Sequence, residues 1–252
     1  MSQHDNRLKI LNIWVDPVEM RGALEKVEHF VEKGDRRPHS IFAVNPEKNF
    51  SVPRDPNLHK VFSEADLLIP DGIGVVIAAR ILYRVKLSRV PGVEFMEEIC
   101  RLSAQKGYRV FFYGAKEEVN AKAMETLQNR YPSLKIAGRA NGYVSPEDTP
   151  RLIEQINASG AQILFLALGS PRQENWFAKY AVQLHSVRVC QGIGGTLDTI
   201  AGTVKRAPKF WCNLNLEWFY RLVSEPKRIA RQRVLPIFAF QVFLRKIELI
   251  FQ

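Results

Sequence analysis

The chain has 252 residues, of which 46% are hydrophobic and 25% are charged, so it can bury the core of one large domain or two small ones. The formal net charge of +10 favours an anionic partner, such as nucleic acid, a phosphate-bearing substrate or an acidic membrane surface. No apolar run reaches the roughly 20 residues that span a bilayer, and the polar start lacks a signal-peptide core, so we expect a cytoplasmic protein.

Apolar runs of strand length alternate with amphipathic runs of helix length as far as Gly202. Candidate strands are residues 8–15, 40–44, 67–69, 109–113, 135–137, 162–167 and 188–191. Candidate helices are residues 18–32, 73–83, 92–106, 117–130, 146–159 and 171–183. This alternation is typical of βαβ units, and the continuous apolar strands from residue 109 onward suit a sheet covered on both faces. The sequence therefore predicts a Rossmann-like α/β fold with a mostly parallel sheet flanked by helices.

Polar side chains follow the second and third candidate strands. Asn45 opens the segment Asn-Pro-Glu, and Asp71 lies in the segment Pro-Asp-Gly-Ile-Gly. Open α/β sheets bind ligands at the carboxyl ends of their strands, and glycines let the backbone approach a ligand closely. Asp71 therefore lies where a general base or a ligand-binding acid would lie, and Asn45 where a hydroxyl ligand would lie. Both are also ordinary turn residues, and position alone leaves that alternative open.

The strand that ends near Leu168 is followed by a turn and a predicted helix. Ser170 can cap this helix and Pro171 suits its first turn, so neither needs a functional explanation. Gln173 also lies in the first turn, where its amide can reach a bound sugar or phosphate or remain in solvent.

Two further loops can contact a nucleotide. The loop after the last candidate strand contains Gly194, Gly195 and Asp198, and its glycines can cradle phosphates. Because it lacks the full G-x-G-x-x-G pattern, a dinucleotide site is disfavoured. Tyr143, in the loop at residues 138–143, can stack on a base or pack on the core.

No motif indicates a metal site. Cys100, Cys190 and Cys212 form an odd set without metal-ligand spacing and are expected to be free thiols in a reducing compartment. The five histidines have no ligand spacing, and the chain contains no Asp-x-Asp pair and no Walker loop. We therefore expect no metal and no cofactor, with phosphates handled by arginines and helix N-termini.

The basic character belongs mainly to the C-terminal segment. From Lys205 to Gln252 there are ten Lys or Arg residues and three Asp or Glu residues. The segment is rich in aromatic residues, and Pro226 and Pro236 are expected to break its helices. Residues 237–251 combine an apolar face with cationic flanks, which suits either a helix in a membrane interface or a helix packed on its own domain. We divide the chain into an α/β core (1–202) and a basic appendage (203–252).

Taken together, these segments resemble the WecG/TagA/CpsF family, glycosyltransferase family 26. The matching segments occur in the family's order and span about residues 8–236. They are Asn45-Pro46-Glu47, Pro70-Asp71-Gly72-Ile73-Gly74, Arg89-Val90-Pro91-Gly92, Gly142-Tyr143, Leu168-Gly169-Ser170-Pro171-Arg172-Gln173-Glu174, Gly194-Gly195-Thr196-Leu197-Asp198, Lys205-Arg206-Ala207-Pro208 and Leu216-Glu217-Trp218.

The resemblance implies a role for each matching residue. Asp71 matches the proposed catalytic base, which takes the proton of the acceptor hydroxyl as that oxygen attacks the anomeric carbon. Arg89 matches an arginine that meets the donor or its phosphates. The remaining matches are sugar contacts at Asn45 and Gln173, uridine contacts at Tyr143 and Asp198, and diphosphate contacts in the appendage at Arg221, Arg228 and Arg231.

The activity implied by the resemblance is sugar transfer from a UDP-sugar to a polyprenyl-diphosphate-linked saccharide on the inner face of the cell membrane. The family is described as inverting and metal-independent, and it makes cell-surface polymers of the exopolysaccharide, O-antigen, enterobacterial-common-antigen or teichoic-acid type. Many members carry Thr where this chain has Ala43, so the choice between a hexosyl and an N-acetylhexosaminyl donor stays open. The resemblance and the basic tail together predict an anionic membrane surface as a partner.

Two functions of other classes are weighed against this one. A nucleic-acid-binding protein would use the basic aromatic tail, but no nucleic-acid module is visible, so we expect no nucleic-acid partner. A nucleotide-dependent oxidoreductase is disfavoured by the incomplete glycine pattern and the missing acidic ribose partner. The apolar tail leaves homo-oligomerisation open.

Overall fold

The computed structural model describes residues 6–33, 35, 37–205, 207, 208, 210, 211, 216–224 and 232–251. Within this part of the chain, the strands are β1 (Leu8–Ile10), β2 (Ile13–Val15), β3 (His39–Val44), β4 (Leu67–Pro70), β5 (Arg109–Gly114), β6 (Lys135–Ala140), β7 (Ile163–Ala167) and β8 (Val189–Gly192). The helices are α1 (Met20–Lys33), α2 (Lys48–Ser51), α3 (Pro56–Glu64), α4 (Ile73–Tyr83), α5 (Gly92–Lys106), α6 (Glu117–Arg130), α7 (Thr149–Ala158), α8 (Arg172–Tyr180), α9 (Thr196–Ile200), α10 (Glu217–Ser224) and α11 (Val234–Glu248).

Strands β3 to β8 form one parallel sheet in the order β4-β3-β8-β7-β5-β6. Successive side chains of a strand point to opposite faces, and here both faces are apolar. Phe111 of β5 packs in a cluster with residues of α3, α4, α7, α8 and α11, whereas Phe112 packs with residues of α1, α5, α6 and α9. The Rossmann-like α/β fold predicted from the continuous apolar strands is confirmed.

Because the strands are parallel, their carboxyl ends all lie at one edge of the sheet, and helices cover both of its faces. Asn45 follows β3, Asp71 follows β4, Gln173 lies just beyond β7, and Gly194 follows β8. The topology therefore brings these polar groups, which are far apart in sequence, to one side of the molecule.

The prediction of one continuous strand at residues 8–15 was wrong. The segment is an antiparallel hairpin in which Leu8 pairs with Val15 and Ile10 pairs with Ile13. The reversal places Leu11 at φ +54°, a conformation that a branched apolar residue seldom adopts, so the sequence gives no turn signal there. A tertiary contact holds the turn, because the Asn12 N–H donates to Asn49 Oδ1 at 3.0 Å.

Two further details differ from the sequence-based expectation. The capping role assigned to Ser170 was wrong, because α8 begins at Arg172 without a side-chain cap and Ser170 Oγ accepts a hydrogen bond from Lys48 Nζ. Helices α2 and α3 were not predicted, although Asp55 caps α3 by accepting from two backbone N–H groups.

The described part of the C-terminal segment packs against the α/β body. Pro236 does not break a helix but lies in the first turn of α11, where the missing N–H of proline costs no hydrogen bond. Phe238 and Val242 of α11 are buried in the same cluster as Val75 and Ala78 of α4. Across the described residues, every helix is too short or too polar to cross a membrane.

Candidate active site

The carboxyl ends of β3, β4 and β8 and the first turn of α8 line a cavity of about 650 Å³. This volume is typical of sites that hold small molecules. Side chains of α4 and α11, including Ile77 and Phe238, form apolar walls. Of the residues predicted to be functional, those that line the cavity are Asn45, Asp71, Arg89, Gln173, Gly194, Gly195 and Asp198.

Asp71 is held at the cavity wall by contacts on several sides. Its Oδ1 accepts a hydrogen bond from the Gly92 N–H at 3.1 Å, at the amino end of α5. The positive end of that helix favours the ionised carboxylate. Arg89 Nε donates to the Asp71 carbonyl oxygen at 2.7 Å, and the Asp71 N–H donates to the Val44 carbonyl oxygen at 3.1 Å. The carboxylate thus has a fixed position in which it can accept a proton.

The absence of a side chain at Gly72 brings the turns after β3 and β4 together. A Cβ atom at this position would lie 2.9 Å from Pro46 Cδ, closer than real Cβ contacts come, and at a tight 3.0 Å from Asn45 Cβ. Glycine therefore lets the turn that carries Asn45 pack directly on the turn that carries Asp71.

Gln173 lies in the first turn of α8 and is buried against the loop after β8. Its Oε1 accepts a hydrogen bond from the Gly194 N–H at 2.9 Å. Its Nε2 fills the space above Gly192, where a Cβ atom would lie only 2.5 Å away. Gly194 adopts φ +53°, so the loop that Gln173 supports depends on glycine at that position too. Gln173 joins the end of β7 to the glycine-bearing loop.

Arg89 links the body of the protein to the C-terminal segment. Its Nη2 lies 2.9 Å from Glu217 Oε2 of α10, and the two side chains are 19% and 12% exposed. Because Arg89 also contacts the Asp71 backbone, a C-terminal helix is connected to the catalytic candidate through one side chain.

Not every predicted residue joins this group. Tyr143 is 71% exposed and is not among the residues that line the cavity, because it follows the edge strand β6. Arg221 belongs to α10, but its side chain is outside the described set, and Arg228 and Arg231 lie outside the described residues. Their predicted contacts with uridine and diphosphate stay predictions.

The carboxyl group of Asp66, which lies at the other end of β4, has a lowered pKa. Burial alone would raise the pKa of Asp66, but hydrogen bonds from His39, the Ser40 N–H and Arg37, with the charge of Arg37, hold it at about 2. Burial raises the pKa of the thiols of Cys100 and Cys190, which are free and inert in the core. These features stabilise the fold and do not contribute to the cavity.

Sequence reasoning gave no role to four charged residues that line the cavity, namely Glu47, Lys48, Glu174 and Glu217, and did not name Lys48 at all. Lys48 Nζ lies 2.8 Å from Glu174 Oε1, and both side chains are buried. Their position in the first turn after a strand end was the available signal, because helix starts at this edge of the sheet face the ligand crevice. Within the described part of the chain, no group of three or more His, Cys, Asp or Glu side chains could hold a metal ion.

The arrangement defines a class of enzyme. A fixed carboxylate, amide side chains and a glycine-bearing loop surround a cavity at the carboxyl ends of a parallel sheet, which is how α/β enzymes bind nucleotide-linked substrates. Apolar side chains of α4 and α11 line the same cavity, so its lining suits a substrate with an apolar part as well.

Comparison with known proteins gives the family. The model of the glycosyl transferase WecG/TagA/CpsF family matches residues 8–250, so the chain belongs to that family. The chain is 38% identical over 196 residues to an N-acetylglucosaminyldiphosphoundecaprenol N-acetyl-beta-D-mannosaminyltransferase of Bacillus spizizenii, and the match covers 78% of this chain and 75% of the relative. The predicted family is confirmed, and the nucleic-acid-binding and oxidoreductase alternatives are disfavoured.

Proposed function

We propose that the protein transfers a hexosyl or N-acetylhexosaminyl group from a UDP-sugar to a polyprenyl-diphosphate-linked saccharide during synthesis of a cell-surface polymer. The observation that carries the proposal is the mixed lining of the cavity, which combines Asp71 and other polar groups with apolar side chains of α4 and α11. The relative from Bacillus spizizenii is named for transfer to a diphosphoundecaprenol-linked N-acetylglucosamine. An acceptor with a polar sugar and a prenyl chain suits a cavity with both kinds of lining.

The donor is assigned to the glycine-bearing loop and its neighbours. Gly194 and Gly195 lie beside Asp198 at the carboxyl end of β8, where a nucleotide diphosphate can approach the backbone closely. Asn45 and Gln173 lie on adjoining turns and supply amide groups for sugar hydroxyls. The resemblance to the family supports a UDP-sugar as the donor.

In the proposed reaction Asp71 is the general base. The acceptor hydroxyl gives its proton to the Asp71 carboxylate as its oxygen attacks the anomeric carbon of the donor sugar. A new glycosidic bond forms, the bond between the anomeric carbon and the diphosphate oxygen breaks, and UDP leaves with the electron pair. Attack opposite the leaving group inverts the anomeric carbon. Cationic groups near the leaving diphosphate lower the barrier, and the candidates are Arg89 and the arginines of the C-terminal segment.

The acceptor side also points to a membrane surface. Ile77 and Ile81 of α4 are 51% and 41% exposed, and Phe240 and Phe243 of α11 are 60% and 59% exposed. Such a set of large apolar side chains, close to basic residues of the last helical turn, suits insertion into an anionic lipid interface. Peripheral attachment there would bring the cavity to a lipid-linked acceptor.

Isosteric substitutions at the two ends of β4 test the catalytic assignment. In Asp71→Asn, we expect turnover with a UDP-sugar and a prenyl-diphosphate-linked acceptor to fall by about 100-fold or more, because the base is lost. UDP binding, measured by calorimetry, should remain nearly unchanged. Asp66→Asn is the matched control, since it alters a buried carboxylate at the opposite end of the same strand and should keep its turnover.

Near-normal turnover in Asp71→Asn would remove this residue from the role of base. Absence of transfer by the unaltered protein, with a panel of UDP-sugars and in anionic vesicles, would contradict the proposed function itself. The same assays with EDTA and with added divalent cations decide whether the reaction is independent of metal.

A further inference from the structure

Lys48 and Glu174 form a buried ion pair that the proposed reaction does not use. The Nζ–Oε1 distance is 2.8 Å, and the side chains are 9% and 1% exposed. Lys48 Nζ also donates to Ser170 Oγ and lies 4.8 Å from the centroid of the Phe62 ring. A carboxylate, a hydroxyl and an aromatic face therefore surround the ammonium group. Since these protein groups already engage the ammonium group, Lys48 is poorly placed to bind substrate directly.

Stability alone does not account for this pair. Removing two charges from water is so costly that apolar residues of similar size often stabilise a core equally well or better. The cost is greater here because Glu174 Oε2 is buried and has no hydrogen-bond partner among the described residues. The ion pair provides a directional contact of fixed length between the two side chains, which an apolar pair could not reproduce.

That contact joins two turns of the candidate active site. Lys48 begins α2, and its N–H donates to the carbonyl oxygen and to Oδ1 of Asn45, at 3.0 and 3.3 Å. Glu174 follows Gln173 in the first turn of α8. The preceding strands β3 and β7 are not neighbours, because β8 lies between them, so no backbone ladder joins these turns directly.

We infer that Lys48 and Glu174 are positioning residues, whose ion pair sets the spacing between Asn45 and Gln173 so that both contact the same donor sugar. Gln173 in turn supports the loop after β8 through the Gly194 N–H. The pair thus aligns the ends of three strands around the donor. This inference rests on the proposed function, since it assigns Asn45 and Gln173 to the donor sugar.

The test replaces the pair by an apolar pair of similar size, Lys48→Met/Glu174→Met, which leaves no isolated charge. We expect its melting temperature to stay within a few degrees of that of the unaltered protein. UDP affinity should change little, whereas the preference for UDP-sugar over UDP should fall, and kcat should fall by about tenfold to 100-fold from misplacement of the sugar. The exchanged pair, Lys48→Glu/Glu174→Lys, should recover part of both losses because it restores a bridge.

Asp66→Asn again serves as the control, since it perturbs a buried ionic network away from the cavity. Loss of kcat in this control to the same degree would mean that activity only follows stability, and would overturn the inference. So would an apolar pair with unchanged kcat and unchanged preference for UDP-sugar. If the unaltered protein binds no UDP-sugar, the proposed function fails instead. Faster amide exchange at Gly194 in the apolar pair than in Asp66→Asn would then still reveal the positioning role.

Discussion

At the scale of single residues, the candidate site depends on glycines, whose lack of a side chain leaves room for neighbouring groups. At Gly192 the space of a Cβ atom is occupied by the amide of Gln173. We predict that Gly192→Ala displaces Gln173, breaks its hydrogen bond to the Gly194 N–H and lowers UDP-sugar affinity by about tenfold, the cost of one buried hydrogen bond. Calorimetric titration with UDP-sugar measures this change.

Gly22→Ala is the matched control for that substitution. A Cβ atom there would meet nothing within 4 Å, and Gly22 lies inside α1. Alanine should therefore stabilise the helix by up to about 1 kcal/mol and leave the affinity unchanged. Equal affinities of Gly192→Ala and the unaltered protein would mean that Gln173 can move without loss, against its assigned role.

Individual residues of the candidate site show how much of it could be predicted from the sequence. Asp71, Asn45 and Gln173 could be selected because each follows an apolar strand, and strand ends meet at one edge of a parallel sheet. Lys48 and Glu174 could not be selected as a pair, because 126 positions separate them and neither alone indicates burial. Tyr143 follows a strand end too, but β6 is the edge strand, and strand order was not encoded in any local pattern.

At the scale of elements, local signals account for what was predicted well. Helix α5 begins after Pro91 and ends at Gly107, which adopts φ +76°, so both bounds were visible in the sequence. The hairpin of β1 and β2 was missed because its turn has no glycine and is held by Asn49 from another part of the chain. The hairpin is stabilised by tertiary contacts, which cannot be inferred from local sequence propensity.

Helix α11 has both a buried and an exposed apolar face, one for each of the two roles that the sequence left open. Phe238 is 3% exposed and packs with α4, whereas Phe240 is 60% exposed. We predict that Phe238→Ala lowers the free energy of unfolding by about 3 kcal/mol, because it leaves a cavity beside α4. Phe240→Ala should change stability by less than about 0.5 kcal/mol but weaken sedimentation with anionic vesicles. Denaturant unfolding and vesicle binding of both variants separate the two faces.

Reversed results would contradict this division of the helix. A stable Phe238→Ala variant would mean that α11 does not pack on α4 in solution, and full vesicle binding by Phe240→Ala/Phe243→Ala would remove the membrane role of that face. Since Phe238 also lines the cavity, its variant should lose transfer activity along with stability.

At the scale of the whole molecule, the C-terminal segment and the body line one candidate active site. Asn49 Nδ2 donates to Gln241 Oε1 of α11 at 3.0 Å, and Arg89 contacts Glu217 of α10 at 2.9 Å. The described charges at the cavity therefore come from both parts of the chain. The segment, which the sequence distinguished by its basic and aromatic residues, contributes walls and an ion pair to the candidate site.

The contact between Arg89 and Glu217 should control how often the C-terminal segment opens. Both side chains are largely buried, so the bridge should contribute at least as much as the strongest exposed pairs, about 1 kcal/mol. We predict that Glu217→Gln raises the opened population about fivefold, with faster trypsin cleavage at Lys205 and lower turnover on a lipid-linked acceptor. Glu248→Gln is the control, because its partner Arg245 lies in the same exposed helical turn. Identical cleavage rates for the two variants would show that α10 is held by its other contacts and not by the bridge to Arg89.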